Sequence, residues 1–211
     1  MKRIAIALLL GAGLIGCSQS SSKMAEPKMD EMAMKKPEMV QMSPEEMKAK
    51  MELAATPGAE HKALAPLVGK WKTETKMWMD PSKQPEVTMG TAQHNWVLGG
   101  RFVQEQFSGK FHGQPFQGSG MIGFDKVKGE YVSTWTDTMG TGIMNGEGKF
   151  DPAKKEIEMS STFSCPVTGG EKSSRSVTRI ISNNEHVFEM FSEGPDGKEF
   201  KMLEIKYKRQ G

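Results

Sequence analysis

The sequence predicts an all-β domain, an up-and-down antiparallel barrel of about ten strands, and three observations carry that prediction. From Gly69 onward, runs rich in Val, Ile, Thr, Phe, Trp and Tyr recur every 8–12 residues. Between them stand Lys128-Gly129, Asp151-Pro152, Asn183-Asn184 and Pro195-Asp196-Gly197, which are turn-forming sequences. Within the runs, apolar and polar residues alternate with the period of a half-buried strand.

The strands fall at 69–79, 87–98, 101–108, 115–124, 130–138, 141–150, 155–164, 172–182, 185–193 and 199–208. In the first, Trp71, Thr73, Thr75, Met77 and Met79 share one face, opposite Lys70, Lys72, Glu74 and Lys76. The last alternates as well, with Leu203, Ile205 and Tyr207 against Lys206 and Lys208. In the fifth, Tyr131, Ser133, Trp135 and Asp137 lie together, and sequence does not decide whether that face points inward. Connections this short make sequential strands antiparallel neighbours. Closing about ten of them into one barrel removes exposed edges and leaves room for a small ligand.

Upstream of the barrel the composition changes. Between Ser18 and Pro57 only Val40 and Leu53 represent Val, Ile, Leu, Phe, Trp and Tyr. Such a segment buries too little apolar surface to offset the entropy of ordering, so residues 17–58 are expected to form a disordered tether. Near its end, Ser43-Pro44-Glu45-Glu46 has the form of a capped helix start, which predicts a short helix near 44–54. A second short helix is expected over Ala59–Leu67, with Leu64, Leu67 and Val68 covering one end of the domain, which spans 59–211.

Lys2 and Arg3 precede an apolar run from Ile4 to Ile15 that is too short for a membrane-spanning helix and reads as an export signal over residues 1–16. Leu14-Ile15-Gly16-Cys17 resembles the bacterial lipobox, which implies acylation of Cys17 and a lipid anchor. Ser18 stands where an inner-membrane retention signal has Asp, so the implied address is the outer membrane, facing the periplasm. Removing Lys2 and Arg3 leaves equal numbers of basic and acidic residues, a balance that does not point to nucleic acid. The expected partners are the membrane, through the lipid, and a small hydrophobic ligand. With Cys17 acylated, Cys165 lies outside any intramolecular disulfide and reads as a packing residue.

Several motifs then occur in order: His61-x-x-Leu64, Gly69-Lys70-Trp71, Leu98-Gly99-Gly100-Arg101-Phe102, Phe116-x-Gly118-x-Gly120-x-x-Gly123-Phe124-Asp125 and Thr134-Trp135-x-Asp137-x-Met139-Gly140-Thr141. Pro166-Val167-Thr168-Gly169, Glu189-Met190 and Asp196-Gly197-Lys198-Glu199 follow. Together they resemble the bacterial family called domain of unknown function 1579, over about residues 59–209. The resemblance implies a lipocalin-like, or calycin-like, barrel without an assigned activity. Gly69-Lys70-Trp71 is also similar to the Gly-x-Trp that opens lipocalin barrels. That likeness implies Trp71 plugging the closed end, with Gly69 beside it and a late cation, Arg209 or Lys208, stacked across the ring.

The candidate ligand contacts are Trp96, Arg101, Trp135 and Asp137, since a lumen combines apolar walls with a few orienting polar groups. An inward Arg101 needs a carboxylate such as Asp137 or Glu105. No catalytic motif is present. Gly118-x-Gly120-x-x-Gly123 matches a dinucleotide fingerprint only as a string, because it leads into another strand, and its glycines read as relief at a bend. The four histidines lack zinc-site spacing. No metal or cofactor is therefore expected, with two alternatives left open: His186 as an axial haem ligand, and Cu(I) on Met24, Met29, Met32, Met34, Met39, Met42, Met47 and Met51 of the tether. Besides non-enzymatic binding, a filled barrel acting as an envelope interaction module and a barrel enzyme of unrecognised type also remain open.

Overall fold

The computed structural model describes residues 42–166, 168–194 and 196–211. The signal sequence, Cys17 and the tether methionines up to Met39 lie outside the described residues. The first element is α1 (Pro44–Ala55). The Ser43 hydroxyl accepts from the Glu46 backbone N–H at 3.2 Å, and the Glu46 carboxylate accepts from the Ser43 N–H at 2.8 Å. This reciprocal cap starts the helix, and no α1 residue is buried. The second expected helix is broken into α2 (Ala59–Lys62) and a 3-10 turn, Ala65–Leu67. Pro66 lacks the N–H that a continuous α-helix would use.

Ten strands follow: β1 (Gly69–Met77), β2 (Glu86–Val97), β3 (Phe102–Phe111), β4 (Gln114–Asp125), β5 (Glu130–Asp137), β6 (Met144–Asp151), β7 (Glu156–Ser164), β8 (Glu171–Ser182), β9 (Glu185–Glu193) and β10 (Glu199–Arg209). Each pairs antiparallel with its sequence neighbours, and β1 pairs with β10, so the sheet closes in simple up-and-down order. The closing register runs from Trp71 opposite Arg209 to Met77 opposite Leu203.

Alternation decides the faces. Trp71, Thr73 and Thr75 of β1, Ala92 and His94 of β2, Val103 and Phe107 of β3, Tyr131 of β5, Ile157, Met159 and Ser161 of β7, and Tyr207 of β10 are buried and point inward. Tyr131, Ser133, Trp135 and Asp137 therefore form the inner face of β5.

One end is plugged. Leu64 and Leu67 drop from the 3-10 region onto Val103, Tyr131, Ile157, Met159 and Ile180. Beside them Trp71 is fully buried, its indole N–H donating to the Leu67 carbonyl at 2.9 Å. The Arg209 guanidinium lies 4.2 Å above the Trp71 ring. It donates to three backbone carbonyls, Asn183 at 2.6 Å, Val68 at 2.8 Å and Pro66 at 3.1 Å. Stacking of this kind contributes about 0.5–2 kcal/mol, and the carbonyls satisfy a cation that would be costly to bury alone. Gly69 makes this possible. Its φ is +147°, and a β-carbon there would fall within the guanidinium.

Gly69→Ala is therefore expected to destabilise the protein by about 2–4 kcal/mol. In urea unfolding this appears as a lower midpoint with an unchanged slope; an unchanged midpoint would contradict the clamp.

Candidate functional site

Above the plug the lumen narrows onto a polar cluster that no sequence spacing announces. His94 of β2, Glu105 of β3, His186 of β9 and Tyr207 of β10 all point inward and meet. The Tyr207 hydroxyl donates to Glu105 Oε1 at 3.0 Å, and His94 Nε2 lies 3.2 Å from the same oxygen. The second contact has ion-pair distance without hydrogen-bond alignment. On the other side of its ring, His94 Nδ1 is 3.0 Å from the Leu67 carbonyl. A carbonyl only accepts, so Nδ1 carries a hydrogen.

His186 stacks on Tyr207 at 4.2 Å between ring centroids and meets Trp71 edge-on at 4.4 Å. It makes none of the described hydrogen bonds, and its Nδ1 is buried and unpartnered. Burial first, then the neighbouring His94 and Arg209 charges, lower its pKa to about 3, so the ring is neutral. Burial, reinforced by Glu105, holds the Tyr207 phenol well above its ordinary pKa. Two further inward hydroxyls, Thr73 Oγ1 and Thr75 Oγ1, are buried without a partner.

Toward the other end the wall turns apolar. Phe107, Ile205 and Tyr207 form a cluster on which Phe116, Trp135, Phe188 and Leu203 pack. Trp135 lies flat along β4 because Gly118 and Gly120 lack side chains; a β-carbon at Gly120 would come 2.8 Å from its Cε3, and one at Gly118 would enter the ring. The indole N–H donates to Asp137 Oδ2 at 2.8 Å, while Asp137 Oδ1 accepts from the Met139 N–H at 2.8 Å. Asp137 thus orients Trp135, and both its oxygens are engaged. The Gly-x-Gly string is a seat for an aromatic ring.

Away from the plug the inward face of the barrel is incompletely buried. Ser133, Trp135, Thr178 and Phe188 face inward from the middle of closed strands yet are only half-buried, and the Glu105 side chain keeps 22% exposure. A separate groove of about 690 Å³, lined by Glu147, Lys149, Glu158, Arg175, Phe191 and Glu199 among others, lies on the outer sheet face. Its central cation is already used: Arg175 pairs with Glu199 at 2.8 Å and stacks on Phe191 at 4.2 Å. The lumen holds the unpartnered polar groups and is the better candidate.

The sequence-predicted residues divide. Trp135 and Asp137 are in the lumen together. Trp96 also faces inward but packs against the plug cluster, opposite Val103 in the β2–β3 pair. Arg101 is corrected: it is exposed at the β2–β3 turn, where Leu98, Gly99 and Gly100 all have positive φ, and its Nη1 donates to the Leu98 carbonyl at 3.0 Å. It pairs with neither Glu105 nor Asp137, and Asp137 belongs to the far end of β5. Of the other histidines, His61 Nδ1 accepts from the Gly58 N–H at 3.0 Å, and His112 pairs with Glu86 at 2.7 Å on the surface. His94 and Glu105 have a sequence signal in hindsight, since each shares strand parity with an inward apolar residue, Ala92 or Val103. Among the described residues no three His, Cys, Asp or Glu side chains gather as a metal site would require.

The molecule is a closed ten-stranded up-and-down antiparallel barrel, plugged at one end. The family described as "Protein of unknown function (DUF1579)" matches residues 56–209, and the chain belongs to it. No curated protein matches it. A crystal structure of Rv2717c from M. tuberculosis is similar, with a TM-score of 0.56 and 15% identity, over 74% of this chain and 100% of that one. A de novo designed fluorescence-activating β-barrel has a TM-score of 0.39 and 17% identity, covering 70% of this chain and 97% of its own. At such identities the likeness to Rv2717c concerns fold alone.

The buried histidine has a measurable consequence. Unfolded His186 takes a proton near pH 6.5, whereas the folded ring resists until about pH 3. Stability is therefore expected to fall with pH across that window, by about 1.4 kcal/mol per unit from this group. In His186→Phe, which keeps the stacking, urea midpoints between pH 6 and 4 are expected to fall less steeply than in the wild type; equal slopes would contradict the assignment.

Proposed function

We propose that this chain is a lipid-anchored protein of the bacterial envelope, attached through Cys17 to the outer membrane and facing the periplasm. Its barrel binds a small, mostly apolar molecule without transforming it. The observation that supports the binding reading is the incompletely buried inner face, in which an apolar wall ends on inward polar groups lacking partners. The His94–Glu105–Tyr207 cluster is also what an enzyme reading would use. Binding is preferred because His94 Nδ1 and the Tyr207 hydroxyl are committed to Leu67 and Glu105.

The anchoring reading rests on the lipobox-like Leu14-Ile15-Gly16-Cys17. Cys17→Ser is expected to move the protein from the detergent-extracted to the soluble fraction and to abolish incorporation of labelled palmitate. Retention of the label would overturn it. For the barrel, tryptophan emission is expected to shift on addition of one class among fractionated envelope lipids and metabolites. The shift is expected to shrink in Trp135→Phe, and unchanged emission across all fractions would overturn the binding reading.

A further inference from the structure

The lumen's polar groups define the chemistry of the head group it accepts, an inference that rests on the binding reading above. Glu105 Oε1 accepts from Tyr207 and lies beside His94 Nε2, whereas Oε2 takes part in none of the described hydrogen bonds. With 22% of its side chain exposed, the carboxylate is accessible. Thr75 Oγ1, two residues from Thr73 on the same inward face, is a buried hydroxyl without a partner, able to donate as well as accept. The partly exposed group among these is the Glu105 carboxylate, which only accepts, so a ligand that pairs with it must bring a donor.

Charge narrows the class further. Arg209 and Glu105 stand at the same end with opposite sign, and the guanidinium is taken up by three carbonyls and the Trp71 face. A cation entering this floor meets the field of Arg209, which also opposes a charge on His186. An anion meets the free oxygen of Glu105. Either ion would also give up its hydration between Phe188, Ile205 and Trp135, which offer nothing in return. A neutral hydroxyl or amide loses little and gains a hydrogen bond to a charged acceptor.

We propose that the lumen selects a neutral, largely apolar molecule bearing a hydrogen-bond donor, its donor on Glu105 Oε2 and its body against Trp135 and Phe188.

Calorimetric titration of the full-length protein with four probes on one naphthalene body tests this: 2-naphthalenemethanol, 2-methylnaphthalene, 2-naphthoate and 2-naphthylmethylammonium. The alcohol is expected to bind at least about ten-fold more tightly than the other three, the worth of one hydrogen bond to a charged acceptor. Glu105→Gln is expected to remove most of that preference while leaving methylnaphthalene binding in place. Thr75→Val, which keeps the side-chain shape and leaves the Tyr207–Glu105 bond untouched, supplies a second variant; it is expected to weaken the alcohol relative to the hydrocarbon. Equal binding of alcohol and hydrocarbon, tighter binding of either ion, or an unchanged preference in both variants would overturn the head-group assignment alone. Absence of binding by all four probes would overturn the assignment and the binding reading together.

Discussion

The structure depends on one clasp, the pairing of β1 with β10 locked by Arg209 over Trp71. An open sheet of ten strands would present two unpaired edges, and this closure removes both. The clasp also sets the interior. Arg209 ties the carbonyls of Pro66 and Val68 to the end of β10. The same residues carry Leu64 and Leu67 into the barrel as a plug, and the Leu67 carbonyl then receives both Trp71 and His94. Closure, plugging and the orientation of the first polar residue above the plug are thus one connected arrangement.

From that floor upward the barrel trades filling for space. Gly118, Gly120, Ser133 and Thr178 occupy inward positions where larger side chains would fill the lumen. At Gly118 and Gly120 the vacated volume goes to Trp135, held by Asp137. The outer face carries ordinary exposed ion pairs, such as Lys128 with Glu147 at 2.9 Å, which stabilise little individually. The unusual chemistry is inside. A neutral buried histidine and a raised tyrosine sit beside a half-exposed carboxylate.

Much of the fold is legible in the sequence because period-2 alternation and turn residues are local signals. All ten strands are found where the alternation puts them, mostly within one to three residues of their ends, and the Ser43 capping box marks the start of α1. Likeness assigns Trp71, Gly69 and Arg209 to the closed end, and the structure places them in contact there. The candidate site is less legible because it is assembled by closure: His94, Glu105, His186 and Tyr207 come from four strands far apart in sequence. Arg101 misleads because two glycines before a cation suggest a close approach to a ligand. Here they instead permit the positive φ of a tight turn that the arginine itself caps. The Gly-x-Gly motif, likewise, encodes the space an indole needs, which no pattern of spacing expresses.

That this barrel is a receptacle is tested most directly by native mass spectrometry of the protein purified gently from its native source. A bound small molecule is expected, released on activation as a neutral species and depleted in Glu105→Gln. The apo mass alone, in the wild type and at every activation energy, would contradict it.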